Sequence, residues 1–514
     1  MLVVPQFRTT RARATTLAVS VAVVAMAGAG LPSPASPSAT RVAGHPNARR
    51  LPSPKLGVPK DVKLVRTRSS LLGVHRWYRQ VANGHVVVGG WYATHYDKFT
   101  KRTTHWDGRK HVGPLRIVSP RISAATAVAA AAARAKTSAA DVVKTGLWVL
   151  PASRQRAHAR LVYAVSTADG RGARTSYVDA ADAHVLQTDQ VADKARNAPR
   201  PPVTGAGRVF DPNPVVALRN ENLKDHNDAA SAVPVTAYKP VRLVGLDHSH
   251  TLSGRYARII NPKVAHSATN TYRFNRSDNR FEQTEAYYAA TREQTFLQRL
   301  GFHDVNASPQ RILTDAFSDD NSYFNPQNDQ ISLGRGGVDD AEDPEVVWHE
   351  YGHAIQADQV LDFGTRNQGR AMGEGFGDYM AVTMSQPTQP KGPSVPATAC
   401  IADWDATAYT SGPVHCLRRT DTAKTYPADL DPADPHMGGE IWSRALWDMN
   451  RSMGRADATK VIIESHFWMY PPITMPTGAA IMVTVAHKLA RHGFIATGSM
   501  GKVRAALTAR HLLP

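Results

Sequence analysis

Two histidines stand four residues apart in the run Asp343-Pro-Glu-Val-Val-Trp-His-Glu-Tyr-Gly-His353, with Glu350 directly after the first of them. On a helix, positions 349 and 353 lie one above the other on a single face. Imidazoles placed like His349 and His353 can hold one zinc ion, and Glu350 can take the proton of a zinc-activated water as general base. Glu374 and Asp378 repeat the four-residue step in Gly373-Glu-Gly-Phe-Gly-Asp-Tyr-Met-Ala. Glu374 is then expected as the third protein ligand, with the fourth position left open as a catalytic zinc requires. Asp378 is expected behind it, accepting the outer N–H of a ligand imidazole. With 21 His and 10 Glu in 514 residues, chance supplies a His-Glu-x-x-His pattern only about 0.02 times. An ordinary helix that happens to carry two histidines is therefore the weaker reading.

The elements that must carry these groups can be read nearby. Asp343 is a good N-cap and Pro344 suits the first helical position, so a helix starts there. Thr284 to Leu300 reads as another helix, with Ala286, Tyr287, Ala290, Phe296 and Leu297 largely on one core-facing side. Residues 205–275 are short extended runs broken by Pro, Gly and Asn, so strands dominate. Residues 458–467, 478–491 and 501–512 read as three amphipathic helices. The acidic run Asp339-Asp340-Ala-Glu342-Asp343 could bind calcium through carboxylate oxygens, or form a solvated helix start. Residues 387–435 are irregular, rich in Pro and Asp, and hold both cysteines, Cys400 and Cys416. In an exported chain these most simply form one disulfide closing a surface loop; two free buried thiols are the alternative.

The front of the chain has a different character. Arg8, Arg11 and Arg13 precede an apolar run from Ala14 to Ala29, which reads as a signal peptide over residues 1–29. The run is short of the roughly 20 residues of an uncleaved anchor, which is the rival reading. No later segment is long and apolar enough to span a bilayer, so a secreted, extracellular protein is expected. Residues 30–60 form a Pro/Ser/Ala-rich linker. Residues 1–200 hold 31 Lys/Arg against 9 Asp/Glu, while residues 201–514 hold 30 against 34. The net charge of +18 thus belongs to the front, and a nucleic-acid partner for the metal motif is not indicated. A cationic front and a mildly acidic back suit two parts that dock electrostatically, or the front is a solvated basic surface. Val74–Val81 and His85–Tyr92 around Asn83-Gly84 predict a hairpin. Ser123 to Lys136 predicts an Ala-rich helix. Strands follow at 160–166, 175–180 and 185–186, giving a small α+β domain. A second Pro-rich basic stretch, residues 197–204, reads as a linker and maturation region.

Several of these stretches resemble known families. His75 to Tyr92 resembles the pro-segment of thermolysin-like and fungalysin-like metallopeptidases. Leu161 to Leu186, with Tyr177-Val-Asp-Ala-Ala-Asp-Ala-His-Val-Leu, resembles a second propeptide module of the PepSY type. Gly205-Ala-Gly-Arg-Val-Phe-Asp-Pro-Asn-Pro-Val resembles the start of the fungalysin catalytic domain. Asn321-Ser-Tyr-Phe-Asn-Pro326, followed by Ile331-Ser-Leu-Gly334, resembles the edge strand that lines the substrate cleft, with Asn321 and Ser322 as expected contact positions. His436-Met-Gly-Gly-Glu-Ile-Trp442 resembles a helix whose opening histidine faces the zinc and helps hold the oxyanion; Asp431 or Asp434 could orient it. The sequence departs from the pattern at Gly352, where a bulkier residue is usual, and at Gly373. The oxyanion tyrosine is not identified, and Tyr351 and Tyr379 stay unassigned.

The resemblance implies an α+β chain. A thermolysin-like catalytic domain (205–514), with a β-rich N-terminal lobe, a central zinc helix and a mainly α C-terminal lobe, follows an α+β propeptide (61–196). It implies a secreted zinc endopeptidase (a zinc metalloendopeptidase) made as a zymogen, with one catalytic Zn²⁺ and protein or peptide substrates. Its own propeptide would be the intramolecular inhibitor, and a monomer without nucleic-acid partner, or membrane contact after signal removal, is expected. One alternative is a catalytically silent extracellular zinc-containing binding protein, which would have no use for Glu350 as base. The other is a metallohydrolase of non-peptide amides or esters, against which strand pairing at 321–334 argues.

Overall fold

Asn83 and Gly84 both have positive φ, 49° and 80°, and a two-residue turn of this kind matches the twist of the strands it joins. The computed structural model describes residues 57–138, 142–169, 172–189, 202–364, 367–390 and 399–514. The signal peptide, most of the 30–60 linker and most of the 197–204 region lie outside these residues. The turn joins β2 (Gly73–Ala82) to β3 (His85–Asp97), flanked by β1 (Val62–Ser69) and β4 (Arg102–Asp107). Then come α1 (Ala124–Ala135), β5 (Val142–Leu150), β6 (Arg160–Asp169), β7 (Gly172–Asp179) and β8 (Val185–Asp189). Ser123 caps α1 by accepting from the Thr126 N–H, and Ala127 and Ala131 pack against the sheet. The two modules expected from the sequence share one eight-stranded sheet, order β1-β2-β3-β5-β6-β7-β8, with β4 on β3. Val86 and Val87 of β3 join them by parallel pairing with Trp148 and Val149 of β5.

The second part begins with β9 (Val203–Phe210), α2 (Pro214–Leu218), β10 (Tyr238–Leu246), β11 (Ala257–Ile259) and β12 (Thr271–Tyr272). Val203 already pairs with Leu246, so the strand starts two residues ahead of the expected boundary at 205. Next is α3 (Arg280–Arg299), one turn longer at its start than the apolar pattern predicts. Phe281 explains the extra turn, because it is fully buried against Phe210 and Tyr238 and draws the first turn inward. A four-stranded sheet holds β11, β13 (Gln310–Leu313), β15 (Gln330–Leu333) and β14 (Ser322–Asn325), with β14 at the edge. Two helices follow, α4 (Pro344–Gln359) and α5 (Asn367–Ser385), then the short strands β16 (Cys400–Ile401) and β17 (Arg418–Arg419). The chain finishes in α6 (Pro435–Met453), α7 (Arg455–His466), α8 (Met475–Arg491) and α9 (Ser499–Thr508). A β-rich half and an α-rich half thus meet at α4, and the fold class is α+β. No helix among the described residues is long and apolar enough to cross a membrane.

The two parts share one core. Leu71, Leu72, Trp77, Trp91 and Ala93 of the first pack in the same apolar cluster as Trp348, Trp442 and Phe467 of the second. Polar contacts cross the same boundary. Asp358, at the end of α4, takes the Arg68 guanidinium with both oxygens, and Arg79 pairs with Asp362. These pairs have the sign expected for a basic front on an acidic back. Lys488 with Asp97, at 2.9 Å, runs the other way. Burial of the Arg68–Asp358 pair makes loss of one partner costly, about 3–5 kcal/mol, because the other charge is left unpaired.

Candidate metal centre

Asp343 accepts the Glu345 N–H at 3.0 Å as N-cap, and Pro344 occupies the first helical position, so α4 starts where the sequence predicts. The helix then stacks His349 and His353 on one face, and α5 crosses it to supply Glu374. His349 Nε2 and His353 Nε2 lie 3.2 Å apart, and Glu374 Oε2 lies 3.3 Å from the first and 3.7 Å from the second. Four ligands around a tetrahedral zinc at about 2.0–2.1 Å are separated from one another by about 3.4 Å. The three atoms therefore fit a zinc ion. Their chemistry fits as well, since two imidazole nitrogens facing each other repel unless a proton or a cation stands between them. The Glu374 oxygen aimed at both has no hydrogen-bond partner of its own.

Residues 334–462 match the family described as fungalysin metallopeptidase (M36). The chain is a metallopeptidase, and over this stretch it is similar to fungalysin-type zinc enzymes. No curated protein matches it. Among solved structures, the C-terminal domain of YpeB from Bacillus megaterium aligns at 9% identity and a TM-score of 0.17, over 25% of this chain and 56% of that one.

In the metallopeptidase, α5 can approach α4 closely because glycines line the contact. A Cβ at Gly352 would sit 3.1 Å from the Gly377 Cα, and one at Gly377 would sit 2.7 Å from the His349 ring. That approach accounts for Gly352 in place of a bulkier residue. One turn beyond Glu374, Asp378 is fully buried and meets His349 Nδ1 at 3.0 Å. Burial works against a charged His349, but Asp378 and Glu374 outweigh it and hold the metal-free imidazole up at about 10. Burial pushes the Asp378 carboxyl up, and Arg418 together with His349 more than offsets this, bringing it down to about 2. Glu374 is likewise held well below the usual range, its burial outweighed by the two histidines. A cation entering here meets two ready carboxylates and displaces the His349 proton.

Arg418 was not legible in the sequence. It lies in β17, two residues past Cys416, and its guanidinium grips Asp378 at 2.7 Å and reaches His349 Nδ1 at 3.5 Å. The Cys400–Cys416 disulfide closes the loop that delivers it. Cys400 itself is fully buried rather than superficial.

Asp434 caps α6, accepting the His436 and Met437 N–H groups, and the same carboxylate oxygen meets His436 Nδ1 at 3.2 Å. This decides between Asp431 and Asp434 as neighbour of His436. His436 Nε2 then lies 3.5 Å from Glu374 Oε2, at the rim of the metal cluster. Glu350 lies on α4 with 6% exposure, and its Oε2 has no hydrogen-bond partner. Tyr351 and Tyr379 are fully buried and bonded to Gln294 and Thr459, so neither hydroxyl faces the centre.

The candidate substrate strand is β14, which packs beside α4. Ser322 opens it and donates its hydroxyl to Asp340, while the Asn321 carbonyl accepts the Gly334 N–H. The acidic run after Gly337 does not act as one loop. Asp339 faces Glu282 and Asp315, Asp340 faces Asp320 and Asp405, Glu342 takes Arg276, and Asp343 caps α4.

Proposed function

We propose that this metallopeptidase is a secreted zinc endopeptidase held in check by its own leading segment until that segment is cut away. The observation that carries the catalytic part is the triangle of His349, His353 and Glu374 with Glu350 between the two histidines on one buried helix. A zinc ion held by the three supplies Lewis acidity to the scissile carbonyl and to the attacking water. Glu350 accepts the proton of that water and returns it to the leaving amine. His436, with Nδ1 tied to Asp434, donates from Nε2 to the oxygen that becomes negative. Asp378 and Arg418 hold the His349 ring in place. A substrate peptide pairs with β14 as an added strand, contacting Asn321 and Ser322. The leading segment supports the zymogen reading because β7 lies against β14, where an extended substrate would run.

The deciding experiment is casein digestion by the purified protein after removal of residues up to about 200, with and without a zinc chelator. Cleavage should appear and be lost on chelation; an unaffected or absent activity defeats the reading. A mass spectrum of the secreted form should give a mature N-terminus within 197–205. His436→Phe should lower kcat by about 10²–10³-fold with zinc content unchanged. Wild-type kcat in that variant would remove His436 from the oxyanion role.

A further inference from the structure

Asp340 and Asp405 are buried, with 2% and 5% exposure, and each keeps one carboxylate oxygen without a hydrogen-bond partner. Their other oxygens are used: Asp340 Oδ2 takes the Ser322 hydroxyl and Asp405 Oδ2 takes the Tyr409 hydroxyl at 2.7 Å. Asp320 completes a set in which one carboxylate oxygen from each residue lies within 4.8 Å of the others. The largest charges acting on Asp340 are those of Asp405, Asp320 and Glu350, all negative. Those that act on Asp405 come from Asp320 and Asp343, again without a cation. Buried charges are ordinarily paired or bound to metal, and among the described residues no arginine or lysine pairs with Asp340 or Asp405.

We propose that Asp320, Asp340 and Asp405 bind one calcium ion. Carboxylate-only donors select a hard cation, and calcium takes such oxygens in a flexible shell at about 2.3–2.6 Å. Magnesium demands a near-ideal octahedron and gives up its waters reluctantly, so a set of three protein carboxylates suits calcium better. The site joins three segments of the chain. Asp320 precedes β14, Asp340 precedes α4, and Asp405 lies in the loop whose Trp404 and Asp405 N–H groups bond the α4 cap, Asp343. A calcium ion there ties the edge strand to the start of the histidine helix. The binding itself does not depend on the peptidase reading, because its test reads heat and unfolding rather than turnover.

The full-length protein, stripped of metals on a chelating resin and then reloaded with one equivalent of zinc, is titrated with CaCl₂ by calorimetry and followed in thermal unfolding. Calcium should bind, and Tm should rise steadily with the logarithm of its concentration; MgCl₂ should leave Tm unchanged. Asp320→Asn should weaken calcium affinity at least about tenfold, since ligand charge sets the affinity of such sites. Asp405→Asn should abolish the response. Asp320 is exposed, so its variant keeps the test valid if loss of a buried carboxylate impairs folding. A wild-type protein indifferent to calcium would mean that Asp340 and Asp405 carry protons instead, and would overturn the proposal. So would wild-type affinity in both variants, which would move the ion to Glu282, Asp315 and Asp339. An equal response to magnesium would overturn the choice of calcium.

Discussion

Glu350→Gln is expected to lower kcat on casein by about 10²–10⁴-fold while zinc stays bound, the span typical of losing a positioned general base. Glutamine has nearly the same shape, so the buried pocket around the side chain persists. What disappears is the ability to accept a proton. The carboxylate oxygen without a hydrogen-bond partner among the described residues is the atom that this proton would reach. Turnover and zinc content measured together on the variant give the answer. Wild-type turnover with full zinc would take the base role from Glu350; loss of both would mean that the substitution acts through the metal instead.

Gly377→Ala carries the second large expectation. The added Cβ would sit 2.7 Å from both Nδ1 and Cε1 of His349, a ring fixed on one side by Asp378 and on the other by its neighbours on α4. Either the imidazole swings or α5 backs away from α4. Overpacking of this kind costs about 1–3 kcal/mol in stability. A shift of about 1 Å in a catalytic group costs about 10²-fold in rate. The variant should retain less zinc after dialysis and lose at least about 10²-fold in casein turnover. A Gly377→Ala protein with full zinc and full turnover would show that the approach of α5 to α4 is not what sets the His349 position.

How far the sequence carried depended on the range of the interaction. The spacing of His349, Glu350 and His353 is local, and so are the caps at Asp343 and Ser123 and the Asn83-Gly84 turn; each was legible because one helical turn or one hairpin decides it. Glu374 and Asp378 were legible as a pair because their own spacing repeats that of the histidines. Arg418 was not, since nothing near β17 tells that its guanidinium meets a carboxylate forty residues earlier. Asp431 and Asp434 were indistinguishable until the start of α6 fixed which one caps it. The run from Asp339 to Asp343 reads as one acidic patch, yet its side chains leave in different directions toward partners on α3, on the loop before β14 and on the loop at 405. The extra turn of α3 came from Phe281, whose burial against β9 and β10 is a tertiary fact.

The parallel pairing of β3 with β5 has a mechanical consequence. The strands from β1 to β8 belong to one sheet, so the front of the chain answers a pulling or dissociating force as a single body. A cut between β8 and β9 would sever the peptide link but leave Trp77, Leu71, Leu72 and the Arg68–Asp358 pair in place. Detachment would then wait on all of these contacts failing together, giving a sharp threshold in temperature or denaturant instead of a gradual peeling.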